Sequence, residues 1–295
     1  MLRHFRAQRP LRGGSLLVTI FGDAIAPRGG IVTLGSLIRL AAPFGLSERL
    51  VRTAAARLAR EGWLAAERSG RRSEYRLSRA GAVRFAEATR RIYAPAPPGW
   101  DGRWTLLMLP AAGRRPAQLR EGLKWLGFGQ LSAAVFAHPG TTPGEARRWL
   151  LKMPGAADAL LLHAQGVDAA SERRLAAQGW DLAQLGRRYQ RFLERFQPLL
   201  PILQRGGISA ERAFLVRTLL IHEYRKIHLQ DPLLPLKLLP ADWVGRRAYE
   251  LTRGLYAAVV AAAELHLSES ARRLEGPLPP AAQALQRRFA RPQRA

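Results

Sequence analysis

Hydrophobic positions between residues 46 and 77 follow two periods, and the change between them predicts a helix followed by a β-hairpin. Apolar residues at 50, 51, 54 and 58 recur at the spacing of one helix face. Ser47 can cap this helix, and Glu48 suits the positive end of its dipole. A Ser-Gly turn then separates two short apolar segments within residues 63–77, which is typical of a hairpin.

The opposite face of the predicted helix is polar and mostly cationic. Its members lie three, four, seven and eleven residues after the first, which places them on one helix face: Arg49, Arg52, Thr53, Ala56 and Arg60. Guanidinium groups bind phosphates and guanine edges, and a small methyl side chain lets a helix lie close to bases. We therefore predict contacts with double-stranded DNA from this face, together with other residues of the helix and the hairpin tip: Ser47, Arg57, Arg71 and Arg72.

Two short apolar segments, residues 15–24 and 33–42, precede this helix, and each is followed by a turn that contains proline and glycine. Short helix, short helix, tight turn and longer basic helix, followed by a hairpin, is the order of a winged helix-turn-helix domain. The alternative is a solvated basic face on an ordinary helical bundle, since exposed arginine is common on helices. Residues 1–14 are expected to form a flexible basic arm, and residues 78–92 a closing helix.

The remaining pattern predicts two further domains and an α+β fold. A proline-rich linker at 94–99 precedes alternating strands and helices, with one strand poorly marked near 128–130, which indicates a ferredoxin-like sandwich. From residue 181 the pattern is almost wholly helical. The predicted domains are the arm with the winged helix-turn-helix domain, a central ferredoxin-like α/β sandwich, a mainly helical C-terminal effector and dimerisation domain, and a loose tail: residues 1–94, 100–178, 179–275 and 276–295.

Charge and composition agree with a polyanion-binding protein. The chain has 295 residues and a net charge of +25. Residues 1–95 hold 18 arginines against 6 acidic residues, and so positive a surface attracts polyanions in a salt-sensitive way. Charge alone does not distinguish DNA from RNA. The N-terminus has no apolar core of a signal sequence, and the longest apolar run, residues 255–263, is too short to cross a bilayer, so we expect a cytoplasmic protein without membrane contact.

The motifs give no support to catalysis, a metal or a bound cofactor. Cysteine is absent, which excludes disulfides, thiolate zinc sites and cysteine nucleophiles. No dinucleotide-binding or Walker glycine motif occurs. His222-Glu223 begins a zinc-protease motif, but Lys226 stands where the second histidine is needed. We therefore expect a protein that is not an enzyme, with no catalytic residue.

Two long segments in different parts of the chain resemble the phenylacetate-degradation repressor family, PaaX. They are SLLVTIFGDAIAPRGG with APFGLSERLVRTAAARLAREGWL, and LLIHEYRKIHLQDPLLPLKLLPADWVGRRAYELTRGLY. The resemblance covers nearly the full length. It implies a transcriptional repressor of a phenylacetate (aromatic acid) catabolic operon that binds operator DNA as a dimer and is released by phenylacetyl-CoA or a related acyl-CoA. The family's middle domain resembles CRISPR-adaptation nucleases, but residues 107–110 supply no acidic metal ligand.

A cluster of cations and aromatic residues in the C-terminal part is the candidate effector site: His222, Tyr224, Arg225, Lys226, Trp243 and Arg246. Cations could hold the phosphates of a thioester cofactor, while an aromatic side chain packs against an aryl ring. The competing interpretation makes these side chains the hydrogen-bonding frame of a packed proline-rich loop at residues 231–240.

Three alternatives remain at this point. The chain could be an enzyme, either a nuclease or a thioester hydrolase on its central or C-terminal domain. It could bind RNA, which aromatic residues interleaved with cations on a sheet would favour. It could also be a repressor of the same fold that responds to a different acid. We expect a homodimer because helix-turn-helix repressors bind paired half-sites, and an apolar stripe within residues 251–262 suits either the core or a dimer surface.

Overall fold

A computed structural model describes residues 1–7, 13–70, 72–94, 99–110, 117–153, 156 and 158–289. Up to residue 94 the described chain forms helices and a small sheet: α1 (Leu2–Ala7), α2 (Gly13–Thr19), β1 (Ile31–Thr33), α3 (Leu34–Ala41), α4 (Glu48–Arg60), β2 (Leu64–Ser69), β3 (Arg72–Leu77) and α5 (Arg79–Tyr93). Between α2 and β1 the chain continues through a π-helical segment, Ile20–Ile25, and a 3-10 turn, Ala26–Arg28.

The predicted long amphipathic helix is confirmed as α4. The Ser47 side chain accepts a hydrogen bond from the Leu50 amide at 3.3 Å, which fixes the first turn. Val51 and Leu58 are buried on the inner face of the helix. The closing helix is confirmed as α5, with Ser78 accepting from the Gly81 amide at 2.8 Å.

The hairpin belongs to a three-stranded antiparallel sheet with the order β1-β3-β2. β1 was not predicted from the sequence. Its three residues are too few to show an alternating pattern, and the strand exists because Val32 is buried opposite Tyr75 of β3.

The expectation of a flexible arm at residues 1–14 is wrong for the described residues. Residues 2–7 form α1, and Phe5 is 4% exposed. Its ring lies edge-on against Phe44 and against His222, with centroid distances of 6.2 and 5.5 Å. Burial of this one aromatic side chain holds the segment in place.

The central segment has the βαββαβ order of the predicted ferredoxin-like sandwich. Its elements are β4 (Arg103–Met108), α6 (Ala117–Trp125), β5 (Gly129–Gln130), β6 (Val135–His138), α7 (Pro143–Leu150), β7 (Leu160–Gln165) and α8 (Ala169–Gly179). The sheet order is β5-β6-β4-β7, with every pair antiparallel, and this topology confirms the prediction. Leu107, Leu123 and Phe136 lie in its core.

Two details of this segment differ from the sequence prediction. β6 begins at residue 135 rather than 132, because the Ser132 hydroxyl accepts from the amides of Ala134 and Val135 and forms a turn there. α8 was not predicted, although Asp168 caps it by accepting from the Ser171 amide at 2.7 Å.

From residue 182 the described chain is mainly helical, as predicted: α9 (Leu182–Phe196), α10 (Leu199–Gln204), α11 (Ala210–His228), α12 (Gly245–Ser270), β8 (Arg272–Arg273), β9 (Gly276–Pro277) and α13 (Gln283–Gln286). The predicted break near Pro198 separates α9 from α10. α12 begins at residue 245 rather than 241, because the Trp243 amide donates to the Pro240 carbonyl in a turn.

The expectation of a loose tail from residue 276 is wrong up to residue 289. Arg288 donates to the Asp23 carboxylate and to the Gly22 carbonyl at 2.7 and 3.0 Å. Phe289 is buried among the rings of Tyr93 and Tyr256. Both residues are therefore part of a core.

The contacts divide the chain into two compact units. Residues 1–95, 191–228 and 247–295 form the first unit, and residues 96–190 with 229–246 form the second. The contacts therefore group the chain differently from four consecutive segments: the N-terminal helices and sheet share one unit with α11, most of α12 and the residues after it. Residues 271–289 are called the C-terminal segment below. The predicted division into consecutive domains stays a prediction.

Candidate nucleic-acid interface

The outer face of α4 is fully displayed to solvent. The predicted DNA-contacting residues that lie on α4 and at its start are all exposed: Ser47, Arg49, Arg52, Thr53, Ala56, Arg57 and Arg60. Arg72, at the start of β3, is also exposed. Arg71 lies outside the described residues. The helix thus presents its cations in the arrangement that the sequence predicts.

The inner face of α4 is fixed by close packing. α2 packs against α4, and a side chain added at Gly13 would approach Leu50 Cγ within 3.1 Å. Val51, Ala54 and Ala55 of α4 are buried as well. A packed backing of this kind fixes the backbone positions from which the outer arginines project.

Two ion pairs lie along α4, and both are weak enough for their arginines to bind another anion. Arg52 pairs with Glu48 at 2.6 Å, and Arg57 pairs with Glu61 at 3.5 Å. All four side chains are about half exposed, the Arg52 side chain being 55% exposed. Solvent screens such pairs to about 0–1 kcal/mol, so a phosphate can replace the carboxylate partner at small cost.

The β2–β3 hairpin extends from the core into solvent. All side chains from Ala66 to Ser69 are exposed, on both faces of the strand. Gly70 begins the turn with a φ of +57°, a conformation that favours glycine, and Ser69 pairs with Arg72 across it. Arg68 is exposed beside the tip, and sequence reasoning missed it. The alternation that places Arg68 on the hairpin was visible in the sequence, but the extension of both faces into solvent was not.

Sequence reasoning also missed a buried ionic cluster inside the first unit. Asp23 lies in the π-helical segment and is 2% exposed, and the fully buried Arg217 of α11 donates to its carboxylate at 2.7 Å. Arg217 also pairs with Glu264, which in turn pairs with Arg28 at 2.7 Å. Arg288 completes the cluster.

The charges in this cluster support one another. Burial by itself would raise the pKa of Asp23, but Arg217 and Arg288 outweigh it and hold that pKa below its ordinary value of 3.8. Burial raises the pKa of the neighbouring Tyr256 hydroxyl to about 12, so this group stays neutral and donates to Asp23 at 3.0 Å. Asp23 is therefore an anion at neutral pH.

The C-terminal segment is bonded to the helices and sheet that carry the candidate interface. The Arg272 amide donates to the Ser36 hydroxyl of α3 at 2.9 Å, and the Leu274 amide donates to the Glu74 carboxylate of β3 at 2.6 Å. The Ala282 amide donates to the Pro27 carbonyl at 2.8 Å. These contacts join parts of the chain that are about 200 residues or more apart, so no local sequence pattern indicates them.

Three of the predicted effector residues make contacts within the protein. His222 is buried and bonds to Thr19 at 2.9 Å, and burial together with Arg225 and Lys226 holds its pKa well below 6.5. Tyr224 is buried and its ring stacks on His228. Arg225 donates to Thr19 and to the Ser15 carbonyl at 2.8 and 2.7 Å. His222 and Arg225 brace α11 against α2, whereas Tyr224 packs against Phe192 of α9 and His228 of its own helix. These are framing contacts, although their partners are not in the proline-rich loop.

The effector-site prediction stays a prediction for all six residues, and the other three lie in different parts of the chain. Lys226 is half-buried beside Glu223, at 3.5 Å, in the first unit. Trp243 and Arg246 belong to the second unit, where Trp243 and Trp180 line a groove of about 810 Å³. Asp181 and Asp242 line the same groove against a single arginine, Arg187, and this balance disfavours a polyanionic ligand.

The described residues contain no group of three or more histidine and acidic side chains that could hold a metal ion. In the part of the chain that the structure describes, no helix combines the length and apolar character that crossing a membrane requires. The end of β4, where the related nuclease fold places an acidic ligand, carries Leu107 and Met108.

Three family models match successive parts of the chain. Residues 12–81 match the model of PaaX-like proteins, residues 97–176 match the PaaX central Cas2-like domain, and residues 180–269 match the PaaX-like C-terminal domain. The second match agrees with the antiparallel sheet order found above.

Two individual proteins are similar over most of the chain. The transcriptional repressor PaaX of Escherichia coli (strain K12) is 37% identical over 276 residues, which cover 92% of this chain and 87% of that protein. The solved structure of an uncharacterized protein from Mycobacterium tuberculosis is similar with a TM-score of 0.54 and 25% identity, over 84% of this chain and 97% of that one. A repressor as relative agrees with the prediction of a regulator rather than an enzyme. The chain therefore belongs to the PaaX family.

Proposed function

We propose that this protein is a DNA-binding transcriptional repressor of a phenylacetate catabolic operon. The observation that carries the proposal is the outer face of α4: a row of exposed arginines on a helix whose opposite face is locked into the core. The named relative is a transcriptional repressor, which supports the same conclusion.

In this proposal α3 and α4 form the helix-turn-helix, and the β2–β3 hairpin is its wing. α4 enters the major groove, where Arg49, Arg52 and Thr53 meet base edges and Ala56 allows close approach. Arg71 and Arg72 of the wing bind the phosphate backbone. The protein binds as a homodimer, since one α4 covers only a half-site and two-fold operators need paired helices.

The effector in this proposal is phenylacetyl-CoA. It binds a dimer arrangement whose two α4 helices no longer match the half-site spacing, and so shifts the population away from the DNA-bound form. A repressor of this fold that responds to another acyl-CoA is the alternative, and it differs only in the ligand.

A gel-shift assay with the gene's own upstream region tests the proposal. The protein should retard this fragment in the presence of excess unrelated DNA, and phenylacetyl-CoA should release it while phenylacetate and free CoA do not. Absence of specific retardation would overturn the repressor assignment. Release by another acyl-CoA alone would overturn the effector assignment and leave the DNA-binding assignment standing.

Three arginine variants test where the DNA lies. Arg52→Ala should relax base preference at one operator position, at a cost of about 1–3 kcal/mol. Arg72→Ala should lower the affinity for operator and for unrelated DNA alike, and should reduce the dependence of that affinity on salt concentration. Arg173→Ala, on the exposed face of α8 in the second unit, removes the same charge and should change neither. If Arg52→Ala and Arg72→Ala bound operator as tightly as Arg173→Ala and the wild type, this placement of the interface would be refuted.

A further inference from the structure

A half-open groove of about 650 Å³ lies in the first unit, between α12 and the C-terminal segment. Its volume lies within the range of small-molecule sites, which is about 300–1,000 Å³. One wall is α12, where the small exposed side chains Ala257 and Ala261 leave space. The opposite wall is the C-terminal segment, with Leu278 and Leu285.

Aromatic and apolar groups make this groove suited to an aryl ring. The rings of Tyr256 and Phe289 border it, 5.3 Å apart at an angle of 60°. A third aromatic ring can pack against such a pair in an edge-to-face arrangement. Val260 of α12 adds an aliphatic contact.

The polar end of the groove carries an excess of positive charge. Arg28, Arg288 and Glu264 of the buried ionic cluster line it. The cluster as a whole contains three guanidinium groups, of Arg28, Arg217 and Arg288, but only two carboxylates, of Asp23 and Glu264. Arg253 adds a partly buried cation, which pairs with Glu250 at 3.0 Å. This balance favours an electronegative or anionic group, in contrast to the acidic groove beside Trp243.

The C-terminal segment contacts both the groove and the π-helical segment that continues α2. Leu285 lines the groove, while Arg288 donates to Asp23 and Gly22 of the π-helical segment. That π-helical segment continues α2, which packs against α4. A ligand that moves the C-terminal wall therefore acts on α4 through an unbroken series of contacts.

The backbone of this wall is strained at one point. Phe289 has a φ of +57°, which is rare for a bulky residue and costs about 1–3 kcal/mol. Packing of its ring against Tyr93 and Tyr256 holds it there. Loss of this packing would release the backbone strain at Phe289.

We propose that this groove is the effector site, that it takes the aryl-acyl group of an acyl-CoA with its ring beside Tyr256 and Phe289, and that the C-terminal segment transmits occupancy to α4. The inference rests on the proposed function, because it adds the location and the route of the effector response. The thioester oxygen faces the surplus guanidinium charge, and the CoA phosphates lie at the mouth near Arg253.

The test fills the groove with a side chain and measures release from operator DNA. Ala261→Trp places an indole in the groove, and Ala258→Trp places the same side chain on an exposed position of α12 that does not line it. Both variants of the full chain should bind operator like the wild type without effector. The phenylacetyl-CoA concentration for half-release should rise at least tenfold for Ala261→Trp and less than twofold for Ala258→Trp.

Two further measurements keep the inference falsifiable if Ala261→Trp fails to fold. Calorimetry with phenylacetyl-CoA should show at least tenfold weaker binding for the smaller change Ala257→Leu. Arg253→Glu should weaken binding tenfold as well, whereas Arg212→Glu, an equal charge change on an exposed position of α11, should not.

The outcomes separate the two proposals. Release of wild type and Ala261→Trp at equal phenylacetyl-CoA concentrations, or equal affinity of wild type and Ala257→Leu, would overturn the groove assignment alone. A wild type that binds operator but ignores phenylacetyl-CoA would overturn the proposed effector, and the groove assignment with it.

Discussion

At the scale of single residues, the strongest constraint in the first unit is the position of Arg217. Its side chain is 0% exposed and donates both to the Asp23 carboxylate and to the Asp23 carbonyl, at 2.7 and 2.6 Å. A buried charge is tolerated only when it is paired and hydrogen-bonded. Removal of this one guanidinium group takes away an ion pair from both Asp23 and Glu264.

We predict that Arg217→Met lowers the free energy of unfolding by about 3–5 kcal/mol, because it breaks two buried ion pairs and leaves Asp23 and Glu264 with one cationic partner each. Urea unfolding followed by circular dichroism measures this loss. Arg212→Met, on an exposed position of the same helix, should stay within about 0.5 kcal/mol of the wild type. Equal stability of the two variants would show that the ionic cluster does not support the fold.

The buried side chain of His228 should make the stability of the protein depend on pH. Its Nε2 donates to the Arg91 carbonyl at 3.0 Å, and its Nδ1 accepts from the Tyr224 hydroxyl at 3.1 Å. Burial lowers the pKa of His228 from 6.5 to about 4. Between these two values the unfolded chain binds a proton that the folded chain does not, so stability falls as pH falls.

The predicted loss through His228 is about 2 kcal/mol between pH 6.5 and pH 5. Urea unfolding at the two pH values measures it. His228→Gln, which keeps a donor for Arg91, should be less sensitive to pH, and His163→Gln at an exposed position of β7 serves as the control. A pH slope in His228→Gln as steep as in the wild type would contradict the assignment.

At the scale of elements, α4 shows what local sequence can predict. Its apolar period, its capping serine and its polar face are all encoded within residues 47–60, and the structure places each as expected. β1 and α8 were missed for opposite reasons. β1 is three residues long and exists through its pairing with β3, whereas α8 has a capping residue, Asp168, but only one fully buried side chain, Ala176.

The cap of α4 leads to an element-scale prediction. Ser47→Ala should lower the free energy of unfolding by about 1 kcal/mol, because the Leu50 amide loses its acceptor. Thermal or urea unfolding measures the loss. Ser69→Ala, an exposed serine beside the hairpin turn, should change stability less. If Ser47→Ala left the free energy of unfolding unchanged, water would accept the hydrogen bond of the Leu50 amide equally well.

At the scale of the whole molecule, the proposed DNA binding predicts a steep dependence on salt. With six to ten phosphate contacts per dimer, operator affinity should fall by roughly 10³–10⁵ between about 50 and 200 mM salt. Fluorescence anisotropy with labelled operator measures this slope. A slope near zero would contradict binding through the exposed arginines of α4 and the hairpin.

The proposed homodimer is tested independently of DNA. Light scattering should give twice the chain mass of 32.7 kDa, with and without operator. A monomeric mass under both conditions would contradict the half-site model. The apolar stripe of α12 that the sequence left open is mainly core, since Leu251, Leu255 and Val259 are buried inside the first unit.

Local sequence signals were enough to predict the caps of α4 and α5, the helical periods, the hairpin and the strand–helix alternation of the central segment. They also predicted the composition of the outer face of α4, because residues three and four apart on a helix necessarily share a face. Which distant charges meet depends on the three-dimensional packing of the chain. Asp23 lies 194 residues from Arg217 and 265 from Arg288, and the groove exists because the C-terminal segment folds back onto α12 and the N-terminal helices. Long-range packing selects such partners, and no periodic pattern along the chain records that choice.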